Sequence, residues 1–261
     1  MLFVFEMLVL GMGVGLFSGA LGLGGGIIMV PAFLFFIPGM DAHTAKGTSL
    51  MVILFVAAVN AWQLNRGSGR VSWETAARLA AGAIAGSYLG AWSTALLPEL
   101  AVLLLFSTLL LLVAWQLIHH ARRPEVTLSR RPWWLCTPLI GGYSGLAGGA
   151  TGTGGGLILV PLTLQTGIAN NRNATGLSNL VMVAIAAAGS IAHLRAPVVS
   201  ELAWTVGQVN LYAVPWVFAG AQAGSHFGRI LNHRLSLRWR RIILGVLLLV
   251  IVASILYRAW Q

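Results

Sequence analysis

Two glycine-rich segments carry residues whose types and spacing could do chemistry. Residues 15–31 read GLFSGALGLGGGIIMVP and residues 145–161 read GLAGGATGTGGGLILVP, with 11 of 17 positions identical at an offset of 130. The triple glycines are Gly24, Gly25, Gly26, Gly154, Gly155 and Gly156. Each one should break a helix, because every glycine costs about 1 kcal/mol relative to alanine. The segment after each break would then begin with free N–H groups at a positive dipole end, which can bind an anion.

A second repeated patch supplies hydroxyl and amide donors. AKGTS at 45–49 matches ATGLS at 174–178 at an offset of 129, and each patch begins the next apolar segment. The donor side chains are Thr48, Ser49, Ser178 and Asn179. They predict hydrogen bonds to the oxygens of an anion, with helix capping as the alternative, since Ser, Thr and Asn are favoured caps. Lys46 and Arg172 flank the patches and could attract an anion or anchor the chain at a membrane interface.

Close helix packing is the alternative function of the glycines, because small residues are common where membrane helices meet. We favour a substrate-binding site, since triple glycine recurs at equivalent positions of the two segments. A dinucleotide fingerprint does not fit, because Ile27 stands where its last glycine belongs. The lone Cys136 and scattered histidines supply no nucleophile–base pair or metal cluster. The sequence therefore predicts no enzyme, no cofactor and no metal site.

The composition predicts the elements that must position these residues. Hydrophobic residues make up 57% of the chain and charged residues 8%, against roughly 25% charged in soluble domains. Long apolar runs approach the length that crosses a bilayer. The net charge of +10 comes from arginines between apolar segments, as in membrane proteins. We therefore expect an all-α polytopic transmembrane bundle in a lipid bilayer, with no nucleic-acid partner.

The apolar segments fall into two sets of four. They cover residues 2–37, 48–64, 73–97, 100–119, 133–168, 174–194, 200–228 and 240–259. The glycine motifs break the first segment of each set. We predict a first membrane repeat at 1–121, a basic cytoplasmic linker at 122–132 and a second membrane repeat at 133–261.

The positive charges favour one topology. If all eight segments cross the membrane, the 16 Lys and Arg residues divide almost evenly between the two sides. If each glycine-broken segment re-enters its own side and the N-terminus is outside, only Lys46, Arg195 and Arg258 remain outside. Three full spans per half would make the halves inverted repeats, as in many transporters. His193 lies near a segment end, where we expect an interface residue, with a proton carrier as the alternative.

No apolar segment carries a central carboxylate for proton or sodium coupling, and no ATP-binding motif is present. An anion that leaves a cell with a negative interior gains about 2.3 kcal/mol per charge per 100 mV. Outward movement of a small anion would therefore need no coupling residue.

The doubled G-x-G-G-G…V-P block, followed by A-x-G-x-S, resembles the sulfite exporter TauE/SafE family over essentially the whole chain. The resemblance implies a bacterial inner-membrane permease with an internal duplication, which exports sulfite or organosulfonates such as sulfoacetate. Leu177 stands where the first repeat has Thr48, so the two halves of any site would differ chemically. An anion channel and a non-transporting accessory subunit are the alternative functions, and a homo-oligomer is compatible with the sequence.

Overall fold

A computed structural model describes residues 2–21, 26–65, 71–119, 136–170, 173–234 and 237–260. Within them the chain forms ten α-helices and one two-stranded hairpin. The helices of the first half are α1 (Leu2–Leu21), α2 (Gly26–Phe36), α3 (Ala42–Asn65), α4 (Trp73–Ala95) and α5 (Glu99–His119). The second half contains α6 (Thr137–Thr151), α7 (Gly156–Gln165), α8 (Ala174–Arg195), β1 (Thr205–Val206), β2 (Val209–Asn210), α9 (Ala213–Arg234) and α10 (Leu237–Trp260). The predicted all-α class is confirmed, and the predicted linker at 122–132 lies outside the described residues.

The second glycine motif separates α6 from α7. Gly152, Gly154 and Gly155 all adopt positive φ angles of 73–76°, a left-handed conformation that glycine reaches without steric cost. The helix therefore stops at Thr151, and a new one starts at Gly156 after four intervening residues. In the first half α1 ends at Leu21 and α2 begins at Gly26, so most of the first break, including Gly24 and Gly25, lies outside the described residues.

The predicted apolar span at 200–228 is wrong for residues 200–212, nearly half of its length. Residues 205–210 form an antiparallel hairpin in which Thr205 lies opposite Asn210, and α9 begins only at Ala213. Gly207 turns the hairpin with a φ of 57°. The hairpin is partly buried against α3 and does not continue the helix.

Two helix pairs join the halves through glycines. The carbonyls of Pro138, Gly142 and Leu146 on α6 lie where side chains on three glycines of α4, at positions 82, 86 and 90, would be. Three glycines of α1, at positions 11, 15 and 19, lie in the same way against the Val217, Ala221 and Ser225 carbonyls on α9. The numbering rises together in both pairs, so both pairs are parallel. Such close contact is typical of small-residue packing between membrane helices.

The central pair, α3 and α8, is antiparallel. Gly47 near the start of α3 lies against His193 near the end of α8, whereas Gly176 near the start of α8 approaches Asn65 at the end of α3. A small cluster of buried apolar residues fills the middle of this pair: Leu50, Ile53, Ala57, Met182 and Ala186. The α5 and α10 helices pack on each other.

The outer surface is strongly apolar. Large exposed side chains include Phe36, Leu112, Trp115, Leu139 and Val250. Two described helices, α3 and α8, are long and apolar enough by length and composition to cross a membrane. Extended apolar surface of this kind is rare on monomeric soluble proteins and fits a chain surrounded by lipid.

Candidate functional site

The two glycine breaks meet inside the protein. Gly26, at the start of α2, lies so close to the Thr153 carbonyl in the second break that no side chain would fit between them. The Ile53 side chain on α3 covers the same glycine, with its Cδ1 2.6 Å from the ideal Cβ position. The two glycine-broken segments are therefore in contact at these two residues.

The two breaks contact each other beside the middle of the central helix pair, α3 and α8. Ile53 is midway along α3 and Met182 is midway along α8. Gly154 lies between them, because an ideal Cβ there would be 3.0 Å from Ile53 Cγ2 and 3.2 Å from Met182 Cε. Met182 Sδ also lies 2.7 Å from the ideal Cβ position of Gly156. If α3 and α8 cross a bilayer, the breaks therefore lie near its midplane.

The start of α7 offers hydrogen-bond donors at this point. The amides of Ile158 and Leu159 bond to the Gly155 carbonyl, whereas the first N–H groups of a helix have no partner within it. The Ser178 hydroxyl lies 3.5 Å from the ideal Cβ position of Gly156. Its side chain is 3% exposed and its Oγ has no hydrogen-bond partner. Buried hydroxyls are normally paired, so this unpaired donor beside a helix N-terminus is suited to an anion.

Ser49 and Thr48 have different surroundings. The Ser49 hydroxyl donates to the Gly152 carbonyl at 2.8 Å and so holds α3 against the second break. The Thr48 hydroxyl oxygen instead accepts a hydrogen bond from the backbone N–H of Asn210 at 2.9 Å. The structure thus places Ser49 on the break and Thr48 against the hairpin.

Helix capping, the alternative for the donor patch, does not apply. Asp41 caps α3, because its Oδ1 accepts from the amides of His43 and Thr44. Ser178 and Asn179 lie in the second turn of α8, after the cap residue Asn173. The Asn179 amide donates to Thr175 of its own helix, and its Oδ1 is buried without a partner.

Two expectations about interface residues are wrong. Lys46 is only 1% exposed, so it cannot anchor the chain at a membrane surface. His193 is fully buried, and its Nδ1 lies 2.8 Å from Gln208 Oε1 of the hairpin. Both residues are enclosed by parts of the chain that are distant in sequence. Arg172 lies outside the described residues.

Sequence reasoning missed three hydroxyls near the second break. The Ser144 Oγ is buried without a partner, and the Ser144 carbonyl packs on Gly155. The hydroxyls of Thr151 and Thr153 lie 2.9 Å apart. The corresponding positions of the first repeat, at an offset of 130, hold valine and leucine. The internal repeat therefore gave no signal for these residues.

Comparisons with known proteins identify the family and the class of protein. The model of the family described as Sulfite exporter TauE/SafE matches residues 7–255. A probable membrane transporter protein of Xylella fastidiosa (strain Temecula1) is 26% identical over 256 residues, covering 95% of this chain and 92% of the relative. The probable membrane transporter protein y4hK of Sinorhizobium fredii is 29% identical over 81% of this chain and 82% of its own length. No solved structure matches the chain.

The relative YunE of Bacillus subtilis, also described as a probable membrane transporter protein, is 24% identical and covers 96% of both chains. The matches are thus nearly full-length and agree on one class of protein. The chain is a membrane transporter of a small substrate and not an enzyme. It belongs to the sulfite exporter TauE/SafE family.

Proposed function

We propose that the protein moves a small anion, sulfite or an organosulfonate such as sulfoacetate, outward across the bacterial inner membrane. The description of the family supports a sulfur oxyanion. The observation that carries the proposal is the unpaired, buried Ser178 hydroxyl beside the N-terminus of α7, where the two breaks meet. Hydroxyl and N–H donors at a helix N-terminus favour an anion over a cation.

The proposed site combines residues of both halves. Gly154, Gly155 and Gly156 provide the break and the backbone donors, and Gly26 brings the first break against it. Ser178 provides the side-chain donor, and Ser49 holds the second break in place. Thr48, Asn179, Gly24 and Gly25 stay in the proposal as residues predicted from the repeat.

We also propose that the two halves are inverted repeats. The antiparallel packing of α3 and α8, which occupy equivalent places in the halves, supports this arrangement. The exchange of partners supports it too, since α1 packs on α9 as α6 packs on α4. Two such repeats can rock against each other about a fixed central site, which is the usual basis of alternating access.

The same packing supports re-entry of the broken segments. Helices α4 and α6 are parallel, so α6 starts on the side where α4 starts and α3 ends. Because α8 is antiparallel to α3, it starts on that side as well, so α6 and α7 together leave and return to one side. With the N-terminus outside, this is the topology that places 13 of the 16 Lys and Arg residues inside.

Flux into proteoliposomes tests the proposal. Uptake of radiolabelled sulfite and sulfoacetate is measured with and without an imposed potential, for the wild type and a Gly26→Leu/Gly155→Leu variant. Both leucines would overlap backbone carbonyls at the breaks, so we expect flux to be lost. Gly13→Leu is the matched control, because no atom lies within 4 Å of a Cβ at that position.

The outcomes separate the alternatives. Saturable, potential-sensitive flux that the break variant loses and the Gly13 variant keeps supports the transporter. Flux that never saturates indicates an anion channel. No flux of either anion through folded wild-type protein overturns the proposed substrate, and unchanged flux in a folded break variant overturns the proposed site.

A further inference from the structure

We propose that Lys46 provides the positive charge that pairs with the transported anion at the outer end of the second break. This inference rests on the proposed function and assigns the charged contact of its site. Lys46 is the only lysine in the chain. It lies in the second turn of α3, where the surrounding helices bury it almost completely.

The position of Lys46 connects it with the second break. An ideal Cβ on Gly152 would lie 2.8 Å from Lys46 Cα and 3.1 Å from Lys46 Cγ, so the lysine stem packs on the residue that ends α6. Lys46, Ser49 and Ile53 are spaced i, i+3, i+7 and therefore share one face of α3. Ser49 bonds to Gly152, and Ile53 contacts Gly154. This face of α3 lies along the second break, from Lys46 at one end to Ile53 at the middle of the helix, over roughly 10 Å.

The Lys46 ammonium has N–H donors that make no hydrogen bond within the described residues. Lys46 Nζ donates to Thr94 Oγ1 at 3.0 Å, which is its one hydrogen bond to the described residues. An ammonium carries three N–H donors. No carboxylate of the described residues lies within 4 Å of it. The nearby Asp41 carboxylate is occupied in capping α3.

A buried cation with no full counter-charge is unfavourable unless something compensates for lost hydration. Two helix C-termini do so in part, because Thr94 is in the last turn of α4 and Gly152 immediately follows α6. Such ends carry about half a negative charge each. These helix ends offset part of the cost of burying the charge, and the remaining N–H groups of the ammonium are left for an anion, which would supply the missing negative charge.

A second unpaired polar atom lies at the same end of the central helix pair. His193 on α8 packs on Gly47, the residue after Lys46. Its Nδ1 is held by Gln208, and its Nε2 is buried without a partner. The second repeat has no equivalent cation, since Thr175 stands at the matching position and is exposed. The charged contact is thus built once, in the first repeat.

The single lysine makes a direct binding test feasible. The wild type is produced with lysine labelled with ¹⁵N at the ε-position, and the one ammonium resonance is followed during titration with sulfite, sulfoacetate and, for comparison, sodium gluconate. We expect a saturable shift with the sulfur anions. The absence of any shift over concentrations that saturate transport would overturn the proposal.

Transport kinetics provide the second readout. We expect Lys46→Gln to reduce kcat/KM at least tenfold and Lys46→Arg, which keeps the charge, to recover part of that loss. Arg195→Gln removes an exposed cation from the end of α8 and serves as the control, with kcat/KM within about twofold of the wild type. A folded Lys46→Gln protein with wild-type kinetics would overturn the role of Lys46 while leaving the proposed function intact. If Lys46→Gln fails to fold, the wild-type titration and Lys46→Arg still decide. Failure of the wild type to move either anion would instead count against the proposed function.

Discussion

The inner faces of α3 and α8 carry residues at equivalent positions, but the chemistry of those residues differs. Ser49 and Ser178 occupy equivalent positions at an offset of 129, and so do Ile53 and Met182. Ser49 is bonded to the second break, whereas Ser178 has no partner. The buried Lys46 on α3 is matched by an exposed threonine on α8.

The packing that surrounds these faces is much more alike in the two halves. Glycines on α4 and α6 bring their backbones together as glycines on α1 and α9 do, with the same spacing of four residues. The difference teaches that the two halves share the positions that set distances between helices. The positions that would bind or hold a charge differ between the halves, so each half can contribute different groups to one central site.

The largest effect is expected where the halves are most alike. Gly86→Leu would push a side chain into the Gly142 carbonyl, and Gly224→Leu would do the same at the Met12 carbonyl. We expect each change to lower the free energy of unfolding by about 3 kcal/mol or more, because the helices must separate. Unfolding of both variants in the same detergent measures this loss.

Gly142→Ala is the control for that comparison. A Cβ there lies 3.6 Å from the Gly82 carbonyl oxygen, which is ordinary contact, so stability should change little. A large loss of stability in only one of the two leucine variants would show that the two helix pairs contribute unequally to the stability of the fold.

An intermediate effect should distinguish the two equivalent serines. Ser49→Ala leaves the buried Gly152 carbonyl without its partner and should cost about 1–2 kcal/mol of stability. Ser178→Ala breaks no hydrogen bond and should change stability by less than about 0.5 kcal/mol. It should instead raise the KM for the anion roughly tenfold, since a hydrogen bond to a charged group is worth about 1.5–3 kcal/mol.

Unfolding and flux measured on the same preparations separate these effects. If Ser178→Ala destabilises the protein and leaves the KM unchanged, the hydroxyl has a structural role and the proposed site loses its main support.

The smallest effect is expected at the hairpin. Thr48→Val removes the acceptor of the Asn210 N–H and should cost about 1 kcal/mol. The rate of backbone amide hydrogen exchange at residues 205–210 should rise as the stability falls. Thr175→Val changes an exposed threonine near the start of α8 and should leave stability and hydrogen exchange unchanged, and equal effects of the two valines would contradict the assigned contact.

Much of the fold follows from local sequence. The bounds of α4, α5 and α8 agree with the predicted apolar segments to within a few residues. The second glycine break is where the repeat placed it, because three glycines in left-handed conformation cannot continue a helix. These features depend on residues that are neighbours in the chain.

The errors have long-range causes. The predicted segment merged the hairpin with α9, because the hairpin packs on the distant helix α3 and the apolar pattern does not show such a contact. Lys46 was a candidate interface residue, but its surroundings come from Thr94 and Gly152, which are 48 and 106 positions away. Thr48 gains its partner from Asn210, 162 positions away. No local pattern encodes such contacts, and they decide which candidate residues reach the site.

The pairing of α1 with α9 has a consequence for biosynthesis. Gly11 packs on Val217, so α1 is synthesised about 200 residues before the helix against which it packs. At ~5–20 residues per second, this delay is on the order of 10–40 s. During that time the glycine face of α1 is uncovered in the membrane, open to lipid or to the insertion machinery. Synthesis of α9 is therefore the event that allows α1 to pack in the bundle.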